Sequence, residues 1–246
     1  MAKSNQMGMN RTGIDMSPAQ AKEMVRGAEE LTPLRAGNGH SLVSIEREYI
    51  EAADPLGSVP LPGTLKGALK SFMDKATGRN PEVFLNKLGE RLAFERTGVR
   101  LYDALITKCE ATGSSLPIER LREIRDEEAQ HFHLLTEAME SLGADPTAQT
   151  PDADVAAVAS SGIQKVLTDP RTSVAQCLDA MLTAELTDNA GWDMLCSLAE
   201  EMGLDELEAE FRQALAEEDT HLEDVRTWVT ESVLSESGTT ARRQST

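Results

Sequence analysis

Four glutamates and two histidines are spaced so that they can enclose metal ions. Glu128-x-x-His131 and Glu218-x-x-His221 each put a carboxylate and an imidazole three residues apart, which is one face of a helix. Glu95 precedes Glu128 by the same interval as Glu185 precedes Glu218 (128 − 95 = 218 − 185 = 33). Two single glutamates from two helices, with a Glu-x-x-His from each of two others, supply donors for two metal ions inside a bundle. Two divalent cations balance four carboxylates and leave both imidazoles neutral. Oxygen-rich ligation with one nitrogen per metal suits iron, or manganese, better than the thiolate sites of structural zinc.

One Glu-x-x-His carries little weight alone, because most such pairs lie on solvated helix faces. Here both fall on inward stripes, and two of the four histidines in the chain occupy these slots. The stripes are Leu85, Leu88, Leu92, Glu95, Val99, Tyr102, Ile106 and Cys109; Leu121, Ile124, Glu128, His131, Leu135, Ala138 and Leu142; and Leu207, Phe211, Ala214, Glu218, His221, Val225 and Trp228. In each, a ligand type stands where the 3.6-residue period calls for an apolar side chain. Burying four carboxylates together costs several kcal/mol per ion, so the set needs cations. Without metal they repel one another, and replacing Glu128 or Glu218 by Gln is expected to be neutral or stabilising.

Four long amphipathic segments position these residues: about 81–111, 118–142, 171–202 and 204–234, with Gly113, Gly143, Gly203 and Gly238 just past their ends. The first pair and the last pair repeat each other at an offset of 90 residues without a gap: Glu95 and Glu185, Tyr102 and Trp192, Glu127 and Glu217, Glu128 and Glu218, His131 and His221. One helical hairpin cannot bury its apolar stripe alone, whereas two can bury theirs against each other. The short links make antiparallel hairpins, and the long link 144–170, with a helical piece around 154–167, can run back along the bundle. The fold class is all-α.

Residues 1–80 read as an N-terminal extension. Ser17-Pro18 opens a short helix to about Glu30, 31–43 is loop, Ile45–Ala53 is helical, Asp54–Gly63 is a breaker, and Thr64 caps a helix to about Lys75. No ligand is expected from this segment. The bundle domain spans 81–235. The tail, 236–246, is Ser/Thr-rich with Arg242 and Arg243 and reads as disordered.

Forty-two acidic against 24 basic residues give a net charge of −18, which repels nucleic acid and anionic membranes. Three cysteines, Cys109, Cys177 and Cys196, form no Cys-x-x-Cys pair and no disulfide framework. With no apolar core in the first 13 residues to act as a signal peptide, a cytoplasmic setting is expected.

The set Glu95, Glu128-x-x-His131, Glu185, Glu218-x-x-His221 resembles the ferritin-like di-iron carboxylate superfamily, bacterioferritin and rubrerythrin in particular and manganese catalase more distantly. The resemblance covers about residues 82–234. It implies a ferritin-like four-helix bundle in which Glu128 and Glu218 bridge the two metals and Glu95 and Glu185 are terminal. It also implies a redox function, in which two iron ions are oxidised by dioxygen or hydrogen peroxide and an electron donor completes the cycle. Assembly into homo-oligomers is compatible with it. Tyr102 is similar to the tyrosine beside the metals in rubrerythrin-like bundles, and an ordinary core aromatic is the other reading. The chain departs from the pattern in lacking a rubredoxin-like Cys-x-x-Cys module, and its first 80 residues do not match a standard ferritin. Substrate oxygenation or dimanganese catalase chemistry is a second reading, and a metal-holding structural or cargo protein is a third.

Several other polar residues stand near the ligand stripes. Asp188 and Asn189, one turn after Glu185, are candidates for hydrogen bonds to a ligand or for a groove edge. Glu127 and Glu217 recur in both hairpins and read as surface carboxylates or as a route of metal entry. His133 faces away from His131, and His40 lies in the loop region; neither is a ligand candidate.

Overall fold

The computed structural model describes residues 18–31, 40–60 and 80–238. Among them every regular element is helical, and no helix is long and apolar enough to cross a membrane.

Two compact units divide the chain, with residues 3–55 in one of them. That unit contributes α1 (Pro18–Leu31) and α2 (His40–Ala52). α2 begins at His40 rather than Ile45, because no Gly or Pro interrupts His40 to Val43 after Gly39. Its Leu42, Val43, Ile45, Tyr49 and Ile50 are exposed. The helix expected over 64–75, residues 1–17 and the tail beyond 238 lie outside the described residues.

The other unit carries α3 (Pro81–Thr112), α4 (Ile118–Ser141), α5 (Pro151–Thr168), α6 (Val174–Met202) and α7 (Asp205–Glu236). α6 starts at Val174 instead of Arg171 because Ser173 and Gln176 form a capping box, each side chain taking the other's backbone N–H. Cross-helix contacts fix the directions. Arg122 to Glu110 and Arg212 to Glu200 make α3–α4 and α6–α7 antiparallel hairpins. Tyr102 to Glu185 and Arg91 to Asp188 run α3 against α6, and Arg120 to Asp224 runs α4 against α7. α5 returns alongside α3, held at one end by Lys87–Asp152 and at the other by Lys108 donating to the Asp169 carbonyl. Two hairpins joined by a crossover that spans the bundle is the topology.

The core splits into two apolar layers. One gathers Leu101, Leu105, Leu121, Ile124, Leu178, Met181 and Trp228. The other gathers Phe84, Leu88, Leu135, Trp192, Leu195 and Phe211. On α4, α6 and α7 the candidate ligands fall, in sequence, between the residues of the two layers, and on α3 Glu95 follows directly on Phe94 of the first. Of the expected stripe positions, Val99, Leu142 and Leu207 are half-buried; Gly98 and Phe94 take the inward place beside Glu95.

The repeat extends to the turns. Gly113 and Gly203, 90 residues apart, close α3 and α6 with φ of 65° and 66°. In both turns the glycine N–H bonds back to the helix, and the next residue (Ser114 or Leu204) donates to the carbonyl of Cys109 or Ala199 at 2.9 Å. A side chain in the left-handed region costs about 1 kcal/mol or more. Gly113→Ala and Gly203→Ala should each destabilise by about that amount in urea denaturation; two neutral substitutions would contradict the turn assignment.

Candidate metal centre

All six residues singled out by spacing come together in one buried cluster. Glu95, Glu128, His131, Glu185, Glu218 and His221 are each at most 2% exposed. Side-chain donor atoms of Glu128, Glu185, Glu218 and His221 lie within 4.8 Å of one another; so do those of Glu95, His131 and Glu218. Glu218 belongs to both groups. The two groups of buried donors could therefore hold metal ions that share a glutamate.

The donor atoms face a common space more than they face each other. His131 Nδ1 is 2.8 Å from Glu218 Oε1, and His221 Nδ1 is 3.3 Å from Glu218 Oε2, yet none of these atoms has hydrogen-bond alignment with a partner. Glu95 Oε2, Glu128 Oε2 and Glu185 Oε2 are likewise unpartnered. Among the described residues, every buried side-chain N or O without a hydrogen bond belongs to this cluster or to the adjoining Arg91–Asp188 pair. Buried polar groups are almost always satisfied, so a concentration of orphans at one point singles this cluster out as one that could hold a metal ion.

The outward-facing atoms are fully engaged. His131 Nε2 meets Glu217 Oε2 at 2.8 Å, and His221 Nε2 meets Glu127 Oε2 at 2.7 Å. Each carboxylate comes from the opposite hairpin, so the histidine contacts are exchanged between α4 and α7. With its proton on Nε2 toward this carboxylate, each ring in its neutral form would present the Nδ1 lone pair inward. Glu127 and Glu217, readable as surface carboxylates, thus orient the imidazoles; their recurrence in both hairpins was the signal. A surface cavity of about 230 Å³ lined by Arg120, Glu127, Gln213, Ala216, Glu217 and Thr220 opens over them.

Glu95 and Glu185 are held by the repeat's aromatic pair. Tyr102 donates to Glu185 Oε1 at 2.6 Å, and Trp192 Nε1 donates to Glu95 Oε1 at 2.9 Å. Tyr102 is thus hydrogen-bonded to a candidate ligand. Asp188 is 2% exposed and pairs with Arg91, whereas Asn189 is half-buried and donates to Asp219. Two positions that shape the cluster lie outside the motif. Gly98 is one: a Cβ there would overlap Glu128 Oε2, so its missing side chain is the space Glu128 occupies. Arg91 is the other, one turn before Glu95 and 4% exposed. His133 is exposed and takes no part, and the side chain of His40 lies outside the described residues.

Burial dominates the protonation of the metal-free cluster. It raises Glu95 and Glu128 well above the carboxylate range and lifts Glu185 to about 8, with Glu218 adding repulsion. Glu218 goes the other way, to about 2: burial pushes it up, but the imidazoles of His131 and His221 outweigh that. Burial lowers His221, and Glu218 overrides it, to about 9.

The four carboxylates are therefore not interchangeable. Glu128→Gln should be neutral or stabilising in the metal-free protein, as anticipated, whereas Glu218→Gln removes the anion facing both imidazoles and should destabilise. The signs also set a pH dependence. Glu185, raised from 4.5, favours folding in its neutral form; that contribution is complete below 4.5 and lost as pH rises through about 8. His221, raised from 6.5, favours folding in its charged form, and that is lost as pH rises through about 9. The melting temperature in chelator should fall between pH 6 and 9, and added divalent metal should restore it, since deprotonated ligands bind metal. A metal-free protein that gains stability over this range, or a harmless Glu218→Gln, would contradict the electrostatics.

Comparison with known proteins gives one match. The family described as "Domain of unknown function (DUF892)" matches residues 79–237, which takes in α3 to α7 and every residue of the centre. No curated protein and no solved structure matches the chain. The match covers more than half of the 246 residues, and the chain belongs to DUF892, a family within the ferritin-like superfamily.

Proposed function

We propose that this protein is a ferritin-like di-iron carboxylate protein that oxidises Fe(II) with dioxygen or hydrogen peroxide. The observation that carries the reading is the convergence of seven unpartnered donor atoms on one buried space: Oε2 of Glu95, Glu128 and Glu185, both carboxylate oxygens of Glu218, and Nδ1 of His131 and His221. Four carboxylates and two neutral imidazoles match the charge of two divalent ions. Asp188 adds a fifth buried carboxylate, but Arg91 pairs with it at 3.0 Å, which leaves that balance intact. The directions of α3 to α7 and membership of DUF892 support the ferritin-like arrangement.

Two ferrous ions, when bound, supply two electrons at one place, as many as the reduction of one peroxide to water takes. The chain's part is to hold the ions. Glu95, His131 and Glu218 would hold one ion, and Glu128, Glu185, Glu218 and His221 the other. Glu217 and Glu127 hold the Nε2 protons of the histidines, keeping the rings in the tautomer that offers Nδ1 inward. Tyr102 and Trp192 fix the carboxylate planes of Glu185 and Glu95. The apolar layers on both sides exclude bulk water. Manganese fits the same donors, so metal analysis of protein from its natural host decides between the two.

Anaerobic titration should saturate at two Fe(II) per chain, and one hydrogen peroxide should be consumed per two irons. His131→Ala and His221→Ala should impair this oxidation to a similar degree in stopped-flow absorbance, each having lost the only nitrogen of one metal. Saturation at one, or full oxidation in either variant, would remove the two-metal reading.

A further inference from the structure

The repeat that pairs the ligands fails at one place beside them. Ninety residues on from Arg91 stands Met181, and ninety before Asp188 stands Gly98. The surroundings of Glu95 therefore contain a buried ion pair, and those of Glu185 contain a methionine and a glycine. Arg91 Nη1 lies 3.0 Å from Asp188 Oδ1 and donates to the carbonyls of Thr187 and Asp188. Arg91 Nε is 3.2 Å from Glu95 Oε1, the oxygen that also accepts from Trp192. The slot is built for the guanidinium. It lies 4.2 Å above the Phe94 ring, and a Cβ on Gly191 would overlap its Nη1.

Asp188 has the credentials of a metal ligand. It is 2% exposed, and its carboxylate groups with those of Glu95, Glu128 and Glu218 within 4.8 Å. Arg91 is what opposes that role. A guanidinium held on two sides by carboxylates neutralises one and draws one oxygen of the other away from the centre.

Resting on the two-metal reading above, we infer that Arg91 is a positioning residue that withholds Asp188 from the metals and leaves the Glu95/His131 position the weaker of two unequal sites. Metal fills the Glu185/His221 position first, where no cation competes. Arg91 thereby turns a pseudo-symmetric ligand set into an ordered pair of sites.

Calorimetric and visible-absorption titration of the full chain with Co(II) tests this. Wild type should bind two ions in resolved steps, about tenfold or more apart. His131→Ala should abolish the weaker step and His221→Ala the tighter one. Arg91→Met, which installs the residue of the other half, should release Asp188 and Glu95 and tighten the weaker step until the two merge. Asp188→Asn leaves Arg91 unmatched and should weaken the weaker step alone, by about tenfold. The double variant removes a self-neutral pair and also frees Glu95, and should bind at the weaker step at least as tightly as wild type. A double variant as weak as Asp188→Asn would make Asp188 itself a ligand and overturn the inference, as would weaker binding in Arg91→Met. If Arg91→Met proves unfolded by circular dichroism, Asp188→Asn decides: equal loss in both steps, or none, rejects the asymmetry. Wild type that binds fewer than two ions would instead reject the two-metal reading on which this rests.

Discussion

Removing four glutamates from water at one level of a helical bundle is the constraint to which the rest of this molecule answers. A buried leucine contributes about 2 kcal/mol, while an ion stripped of water and left unpaired costs several. Glu95, Glu128, Glu185 and Glu218 occupy positions where leucines would have been favourable, and all are at most 2% exposed. The chain partly offsets this with neutral donors and counter-charges at the edges, from Tyr102, Trp192, Arg91 and the two imidazoles. It leaves the inward atoms unpartnered. The groups so left could hold a metal ion.

The apolar layers follow from the same constraint. A polar cluster in the middle of a bundle weakens the core there, so each hairpin carries packing on both sides of it, with the Trp192–Phe211–Phe84 aromatics on one side and Leu101, Leu121, Leu178 and Trp228 on the other. The exchange of outer carboxylates, Glu217 to His131 and Glu127 to His221, ties the hairpins together at the level where apolar packing is absent. Gly98 gives up side-chain volume so that Glu128 can enter. These are costs to the fold that make sense if the site is what the fold is for.

Much of this was legible in the sequence because the repeat is exact in phase. Six ligand types at one offset, on stripes of known period, could only meet in one place, and the long helices follow from their stops at Gly113 and Gly203. What was not legible has a common cause. Arg91 and the bond from Trp192 depend on which residues of α3 and α6 face one another at close range, and Gly98 on which residue of α4 faces it; a repeat between hairpins says nothing of such pairings. Glu127 and Glu217 were visible by recurrence but looked solvent-facing, because their partners come from the opposite hairpin. The helix expected from Ile45 begins at His40, directly after Gly37-Asn38-Gly39, a turn signal that the expected boundary passed over. The difference between Glu128 and Glu218 was not legible either: only Glu218 faces both imidazoles.

The proposed chemistry requires two metals sharing this cluster. Anomalous diffraction at the iron edge, from crystals of anaerobically Fe(II)-loaded protein, tests it directly. The account predicts two peaks about 3.5–4 Å apart, both within bonding distance of Glu218, one beside His131 and the other beside His221. A single peak, or iron bound elsewhere on the chain with this cluster empty, would contradict it.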